Sequence, residues 1–395
     1  MVAFLLPLFI VTTVAPASAS VLEGRNLNLW QLCPEVLVCA TPAGPTQAYR
    51  PSDDVTTYPA LAQERAAPEA IIGVNDALGL GDNLAETVFA AGFTSDRIEP
   101  LVHGRDVSYE NTPQIASELG FLDNAVVVGN INNGGPREQE ASLAEWATEP
   151  RLKEWTARAV GEVEEAARYG NTLMEVGNEM FLVATIKGSK YPQPKAYAQM
   201  YVSLSKAVDG AKTRTEGYKM PAAVKLLFNL FGEYEESNGK SSQIHLSTGE
   251  YHGWLGDALE APGGAGKELR ARIEGFTFHP YETRVHDSNG NWAPAAEAGH
   301  DWGTSGLKYD YAEARDLGFE DLPVYATELG FTTSGAVQAA EAKAEYEELL
   351  SFPEVKGIWY FAAGPETEEK TGLFEGSEGQ WKLNKAGEAL LQATG

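Results

Sequence analysis

Two glutamates are set apart by what precedes them. Met174-Glu175-Val176-Gly177-Asn178-Glu179 and Leu322-Pro323-Val324-Tyr325-Ala326-Thr327-Glu328-Leu329-Gly330 each place a carboxyl group at the exit of a short apolar run. Two carboxyl groups projecting from one rim can divide acid and base labour. One protonates a leaving oxygen while the other attacks carbon or activates water, which is what cleavage of a glycosidic bond requires. Most of the chain's 56 acidic residues are solvated surface charges. The strand-exit position, the adjoining Asn178 and the second copy raise Glu179 and Glu328 above that background. Other chemistries lack their residues. The six histidines form no HExxH or similar ligand spacing, so no metal and no cofactor is expected. There is no GxSxG nucleophile elbow.

Something must bring these residues to one rim. From Ile71 onward, β-branched runs alternate with longer segments of helical period: Ile71–Val74, Ser95–Glu99, Ala125–Val128, Thr172–Val176, Val224–Phe228, Gly275–Phe278, Pro323–Thr327 and Gly357–Phe361. Helices are expected near 83–91, 111–119, 151–169, 195–215, 250–261, 303–317, 336–351 and 383–393. Eight strand-then-helix units over about 325 residues predict an α/β fold, a (β/α)8 TIM barrel. A doubly wound dinucleotide fold is disfavoured, because Asn75-Asp76-Ala77-Leu78-Gly79-Leu80-Gly81 follows the first run without a GxGxxG pattern. In a barrel the chemistry sits at the C-terminal ends of the strands. The residues there are Asn75, Glu99, Asn130, Asn178-Glu179, Asn229, His279, Glu328, and Phe361 after Trp359.

The residues at these exits resemble clan A of the glycoside hydrolases, the retaining (β/α)8 glycosidases that include cellulases and β-xylosidases. Gly177-Asn178-Glu179 and Thr327-Glu328-Leu329-Gly330 are similar to the clan's paired signatures after strands four and seven. Ser95-Asp96-Arg97-Ile98-Glu99 resembles its second strand, Phe278-His279-Pro280-Tyr281 its sixth and Gly357-Ile358-Trp359-Tyr360-Phe361 its eighth. The resemblance covers residues 71–393 and implies roles. Glu179 would be the acid/base, protonated when substrate arrives, and Glu328 the nucleophile, kept ionised by Arg97 and the Tyr281 hydroxyl. Asn178 would donate to the sugar 2-hydroxyl, Trp359 would floor the sugar subsite, and His279 and Asn130 would line it. The clan often has Pro or Trp directly after its Asn-Glu; here Met180 and Phe181 follow. The alternatives within this reading are a carbohydrate-binding barrel without activity and a transglycosylase using the same residues.

Composition bounds the partners. A net charge of −26 with no Lys/Arg-rich block argues against nucleic acid, whose phosphates need clustered cations. A carbohydrate substrate is the expected partner, and nothing requires more than a monomer. Lys187 and Lys190, after Glu179, read as solvated surface, and Trp292, Trp302 and His286 fall in the loop after strand six. Phe4 to Val14 is an apolar run followed by Ala17-Ser18-Ala19, which predicts a secretory signal over 1–19, although no positive charge precedes it. The run is too short for a stable membrane span. Export to a secreted, extracellular location suits a Cys33–Cys39 disulfide in an N-terminal extension and linker over 20–69, ahead of a single catalytic domain over 70–395.

Overall fold

The computed structural model describes residues 70–75, 77, 84–98, 112–131, 143–180, 194–230, 254–280, 284–286, 292–294, 314–331, 335–364, 372–376 and 380–394. The expected signal (1–19), the extension (20–69) with its Cys33–Cys39 pair, Glu99, Lys187, Lys190, Tyr281 and Trp302 lie outside the described residues. Of His286 and Trp292 only the backbone is described.

The barrel strands are β1 (Ile71–Asn75), β2 (Ser95–Ile98), β3 (Ala125–Val128), β4 (Leu173–Val176), β5 (Lys225–Asn229), β6 (Phe276–Phe278), β7 (Val324–Leu329) and β8 (Val355–Tyr360). They follow one another around a closed ring in sequence order, and β8 pairs in parallel with β1 to shut it. Helices α1 (Leu84–Ala91), α2 (Thr112–Leu119), α3 (Arg151–Arg168), α4 (Pro194–Lys212), α5 (Trp254–Leu259), α6 (Ala265–Arg270), α7 (Gly335–Leu350) and α8 (Lys385–Thr394) lie between and after the strands. Of the expected helix over 303–317 only 314–317 are described, helical at 314–316. Among the described residues no helix is long and apolar enough to cross a membrane.

The helices hold the strand ends in place through stripes of apolar residues. On α3 the buried positions Trp155, Ala159, Val163, Ala166 and Ala167 recur at helical spacing, and the Trp155 indole donates to the Gly129 carbonyl just past β3 (2.8 Å). On α4 the Tyr197 hydroxyl donates to the Val176 carbonyl (2.8 Å) and accepts from the Asn229 backbone N–H (3.2 Å), clamping the exits of β4 and β5 together.

Alternation along the strands sorts the inward side chains by level. Ala125, Leu173, Leu227, Tyr325 and Trp359, with Ile71 against them, form an apolar floor. Two residues further along the same strands come Glu175, Asn229 and Thr327, so the polar layer stands directly above the apolar one. Trp359 belongs to the floor, which corrects the expectation that it would lie under a sugar. Its side chain is fully buried, packs against Tyr325 and donates to the Ser95 hydroxyl (2.9 Å). The physical reason is room: neither Gly73 nor Gly357 has a side chain where the indole lies. A Cβ at Gly73 would come within 2.3 Å of the indole and 2.7 Å of the Ser95 carbonyl oxygen. Gly73→Ala is therefore expected to cost about 1–3 kcal/mol through overpacking. Urea denaturation checks this, and an unchanged midpoint would contradict the packing.

Strict alternation would turn Glu328 away from the barrel, since Tyr325 and Thr327 already face in. The β7–β8 register changes there: Ala326 pairs with Ile358, but Leu329 pairs with Tyr360, so β7 carries one extra residue. A bulge of this kind re-aims the side chain that follows it, and Glu328 enters the barrel mouth.

Candidate active site

Arg97 on β2 lies at the centre of the polar layer, 1% exposed. Its Nε donates to Glu175 Oε2 (2.7 Å) and its Nη1 to Glu328 Oε1 (2.6 Å) and Asn75 Oδ1 (3.1 Å). Its Nη2 donates to Asn178 Oδ1 (2.9 Å). The planar fork thus fixes four partners at once, which a lysine could not do. Asn75 is oriented in turn by its own donation to the Thr327 carbonyl (3.0 Å), just before Glu328. Because Arg97 uses the oxygen of the Asn178 amide, the side of that amide turned away from the guanidinium is its NH2 donor.

Glu179 reaches the site through an unusual backbone. Gly177 has φ 73° and Glu179 has φ 44°, left-handed values that are uncommon for a glutamate. The chain turns sharply after β4 and brings the carboxyl back over the barrel. Gly177 is required there, because a Cβ would lie 2.3 Å from the Met180 sulfur. A strained non-glycine residue is held only when its surroundings enforce it, and such residues concentrate at functional sites.

His279 follows β6 and joins the carboxyl groups. Its Nε2 lies 3.3 Å from Glu175 Oε1, and its Nδ1 lies 3.3 Å from Glu179 Oε1 and 3.7 Å from Glu328 Oε2. Burial alone would lower its pKa. The Glu328 charge, hydrogen bonds to Glu175 and Glu179 and the Glu175 charge outweigh burial and push it up to about 10. Glu175 shows the converse: burial alone would raise its pKa, but the Arg97 charge and the His279 contacts hold it at about 2. It is fully buried and also accepts from Asn229 Nδ2 (3.3 Å), whose amide donates as well to the Thr277 hydroxyl (2.6 Å).

These shifts set a pH dependence of stability. For Glu175, the folded value lies below the unfolded 4.5, so its contribution is complete above about pH 4.5 and is lost as pH falls toward 2. For His279, the folded value lies above 6.5, so its contribution is complete below pH 6.5 and is lost as pH rises through about 10. The two describe one set of ion pairs and are counted once, at roughly 3 kcal/mol. Urea titrations at pH 3 and pH 5.5 should show Glu175→Gln losing less stability on acidification than the wild type. Equal losses would contradict the assignment.

The structure brings together Arg97, Asn178, Glu179, His279 and Glu328 of the residues singled out in the sequence. Asn130 is buried just past β3, with its carbonyl accepting from Arg158 (3.2 Å). Trp359 lies in the floor, and Phe361, at the exit of β8, is the aromatic residue nearer the rim, 7% exposed. Three residues bound into the polar layer were given no role in the sequence reading: Glu175, Asn75 and Asn229. Asn75 and Asn229 were visible as polar strand ends, and Glu175 as an acidic residue inside an otherwise apolar run.

One oxygen each of Glu179 and Glu328 and one ring nitrogen of His279 lie within 4.8 Å of one another, a spacing that a divalent cation could also use. The chemistry of the set argues against one. Arg97 already holds a Glu328 oxygen, and a protonated imidazole offers hydrogens instead of a lone pair.

No protein-family model and no curated protein matches the chain. Solved structures do. A β-glucosidase from Exiguobacterium marinum superposes with a TM-score of 0.52 at 13% identity, covering 83% of this chain and 99% of that one. A family 39 glycoside hydrolase from Bacteroides cellulosilyticus WH2 gives 0.51 at 15% identity over 84% and 65% of the two chains. A Thermotoga maritima β-glucosidase in complex with deoxynojirimycin gives 0.51 at 13% identity over 83% and 98%. At such identities the likeness establishes the shared (β/α)8 fold.

Proposed function

We propose that the protein is a retaining β-glycoside hydrolase that cleaves O-glycosidic bonds by double displacement, with Glu179 as acid/base and Glu328 as nucleophile. The observation that carries this reading is the convergence of two carboxyl groups from β4 and β7 over one barrel mouth, with oxygens within 4.8 Å. Retaining glycosidases hold theirs about 5–5.5 Å apart, whereas inverting ones leave roughly 6.5–9.5 Å for a water. The names of the structural neighbours, two β-glucosidases and a family 39 glycoside hydrolase, support the same class.

The geometry suits the roles. Arg97 on Glu328 favours the ionised carboxylate that must attack the anomeric carbon. Glu179, held beside His279, is the carboxyl group left to pass a proton to the leaving oxygen. After Glu328 has bonded to the sugar and the aglycone has left, Glu179 takes a proton from water, which attacks the same carbon and restores the original configuration. Asn178 presents an amide donor beside Glu179, placed to bind the sugar hydroxyl next to the reacting carbon. A secreted location and a polysaccharide, oligosaccharide or glycoconjugate substrate complete the reading and follow from the sequence.

Hydrolysis of a panel of aryl β-glycosides, followed by 1H NMR of the first-formed sugar, tests the reading. The β-anomer is expected first. Initial release of the α-anomer would overturn retention. A lack of turnover across the panel, with sugar binding unchanged in Glu179→Gln and Glu328→Gln, would favour a carbohydrate-binding barrel.

A further inference from the structure

We propose that Glu175 is a positioning residue, a third buried carboxylate that holds Arg97 and His279 from beneath and so aims one cation at Glu328 and the other at Glu179. For its kinetic consequence the proposal rests on the glycosidase reading above; for its structural consequence it does not.

Each oxygen of Glu175 has its own task. Oε2 takes the Nε of Arg97, the one guanidinium nitrogen that points back along the side chain. With Nε held there, the outer nitrogens are left facing Glu328 and Asn178. Oε1 takes His279 Nε2, which leaves Nδ1 facing Glu179 and Glu328. Both nitrogens of a histidine can donate only when the ring carries two protons. An anion against Nε2 and carboxyl groups against Nδ1 define that state by position. The Glu175 carboxylate cannot itself serve a substrate, because its side chain has no exposed surface.

The groups around His279 support this division. Glu175 on β4, Glu179 after β4 and Glu328 on β7 face the ring, and Arg97 on β2 reaches it through two of those carboxylates. Asn229 on β5 and Thr277 on β6 are neutral and fix Glu175 from the side. On α4, the Tyr197 hydroxyl braces the backbone at Val176, next to Glu175, and at Asn229, and adds no charge, since burial raises its pKa far above neutrality. The raised pKa of His279 agrees with a ring held between anions. Glu175 is therefore the element that lets two cations share one small layer with two reacting carboxyl groups, and removing its charge should release the proton of His279 first.

Nitrogen-15 NMR of the histidine side chains reads this directly in the full chain, with His279→Gln assigning the signal. In the wild type the His279 ring should show two protonated nitrogens from pH 6 to pH 8.5. In Glu175→Gln, which keeps the size but removes the charge and one of the two accepting oxygens, the ring should become neutral by pH 8. Glu175→Asp, which keeps the charge, should hold the proton further into base than Gln does. On an aryl β-glycoside, Glu175→Gln should lose at least tenfold in kcat with KM changed less than threefold, and Glu175→Asp should recover part of that loss. A wild-type ring already neutral at pH 7.5 would overturn the proposal even if no variant folds. A Glu175→Gln ring that titrates as the wild type does, or kcat within twofold of it, would overturn it as well. Absence of glycosidase activity in the wild type, with the NMR result as expected, would remove the proposed function while leaving the positioning role standing.

Discussion

Glu328→Ala is expected to reduce kcat on an aryl β-glycoside by on the order of 10⁴–10⁶, the scale seen when a covalent nucleophile is removed from a site that otherwise still binds. The loss has two sources. The carboxylate that would bond to the anomeric carbon is gone, and Arg97, held to it at 2.6 Å, is left as a buried cation with one anion fewer. Glu328→Gln separates these, because its amide keeps an oxygen for Arg97 while losing nucleophilicity. Both variants should be inactive, but Gln should be closer to wild type in thermal stability. Azide added to the Ala variant can occupy the vacated space and attack from the nucleophile's side, so restored turnover should give an α-glycosyl azide. A Glu328→Ala variant with activity within tenfold of wild type would place the nucleophile elsewhere.

Glu179→Ala should give a different pattern, since proton donation matters only when the leaving group needs it. With a sugar or alkyl leaving group, kcat/KM should fall by roughly 10²–10⁴. With a 2,4-dinitrophenyl leaving group, whose departure needs no proton, kcat/KM should change little, while kcat falls because water is no longer deprotonated. Azide, which needs no base, should restore kcat there and give a β-glycosyl azide, the opposite anomer to that from Glu328→Ala. Steady-state kinetics with the two leaving groups and NMR of the azide products check this. A loss equally large for both leaving groups would argue that Glu179 acts in something other than proton transfer.

Most of the eight strands were legible as short apolar or β-branched runs in a chain where both sheet faces are covered, so no polar residue interrupts them without cause. Asn178, Glu179, His279 and Glu328 were legible as polar residues at the exits of such runs, and Arg97 through the resemblance of its strand. What escaped was direction. Trp359 was read as the floor of a sugar subsite, but its indole turns down into space left by Gly73 and Gly357. Gly357 lies two residues before it on the same strand, but only the pairing of β8 with β1 shows that Gly73 faces it. Glu328 enters the barrel through an extra residue in β7, and no sequence period marks a bulge. Glu175 carried a usable signal. It is two residues from Leu173 and from Gly177, hence on their face of a buried strand, and a glutamate there must meet cations. Arg97, inside a buried strand two places away around the ring, was the partner it required.

The central claim is that Glu328 bonds covalently to the sugar. Incubation with a panel of 2,4-dinitrophenyl 2-deoxy-2-fluoro-β-glycosides, which slow breakdown of a glycosyl-enzyme, followed by mass spectrometry of the intact chain and its peptides, tests it most directly. One fluorosugar per chain is expected, located on Glu328. An adduct on another carboxylate, or turnover of the parent glycosides to a sugar of inverted configuration with no adduct formed, would contradict it.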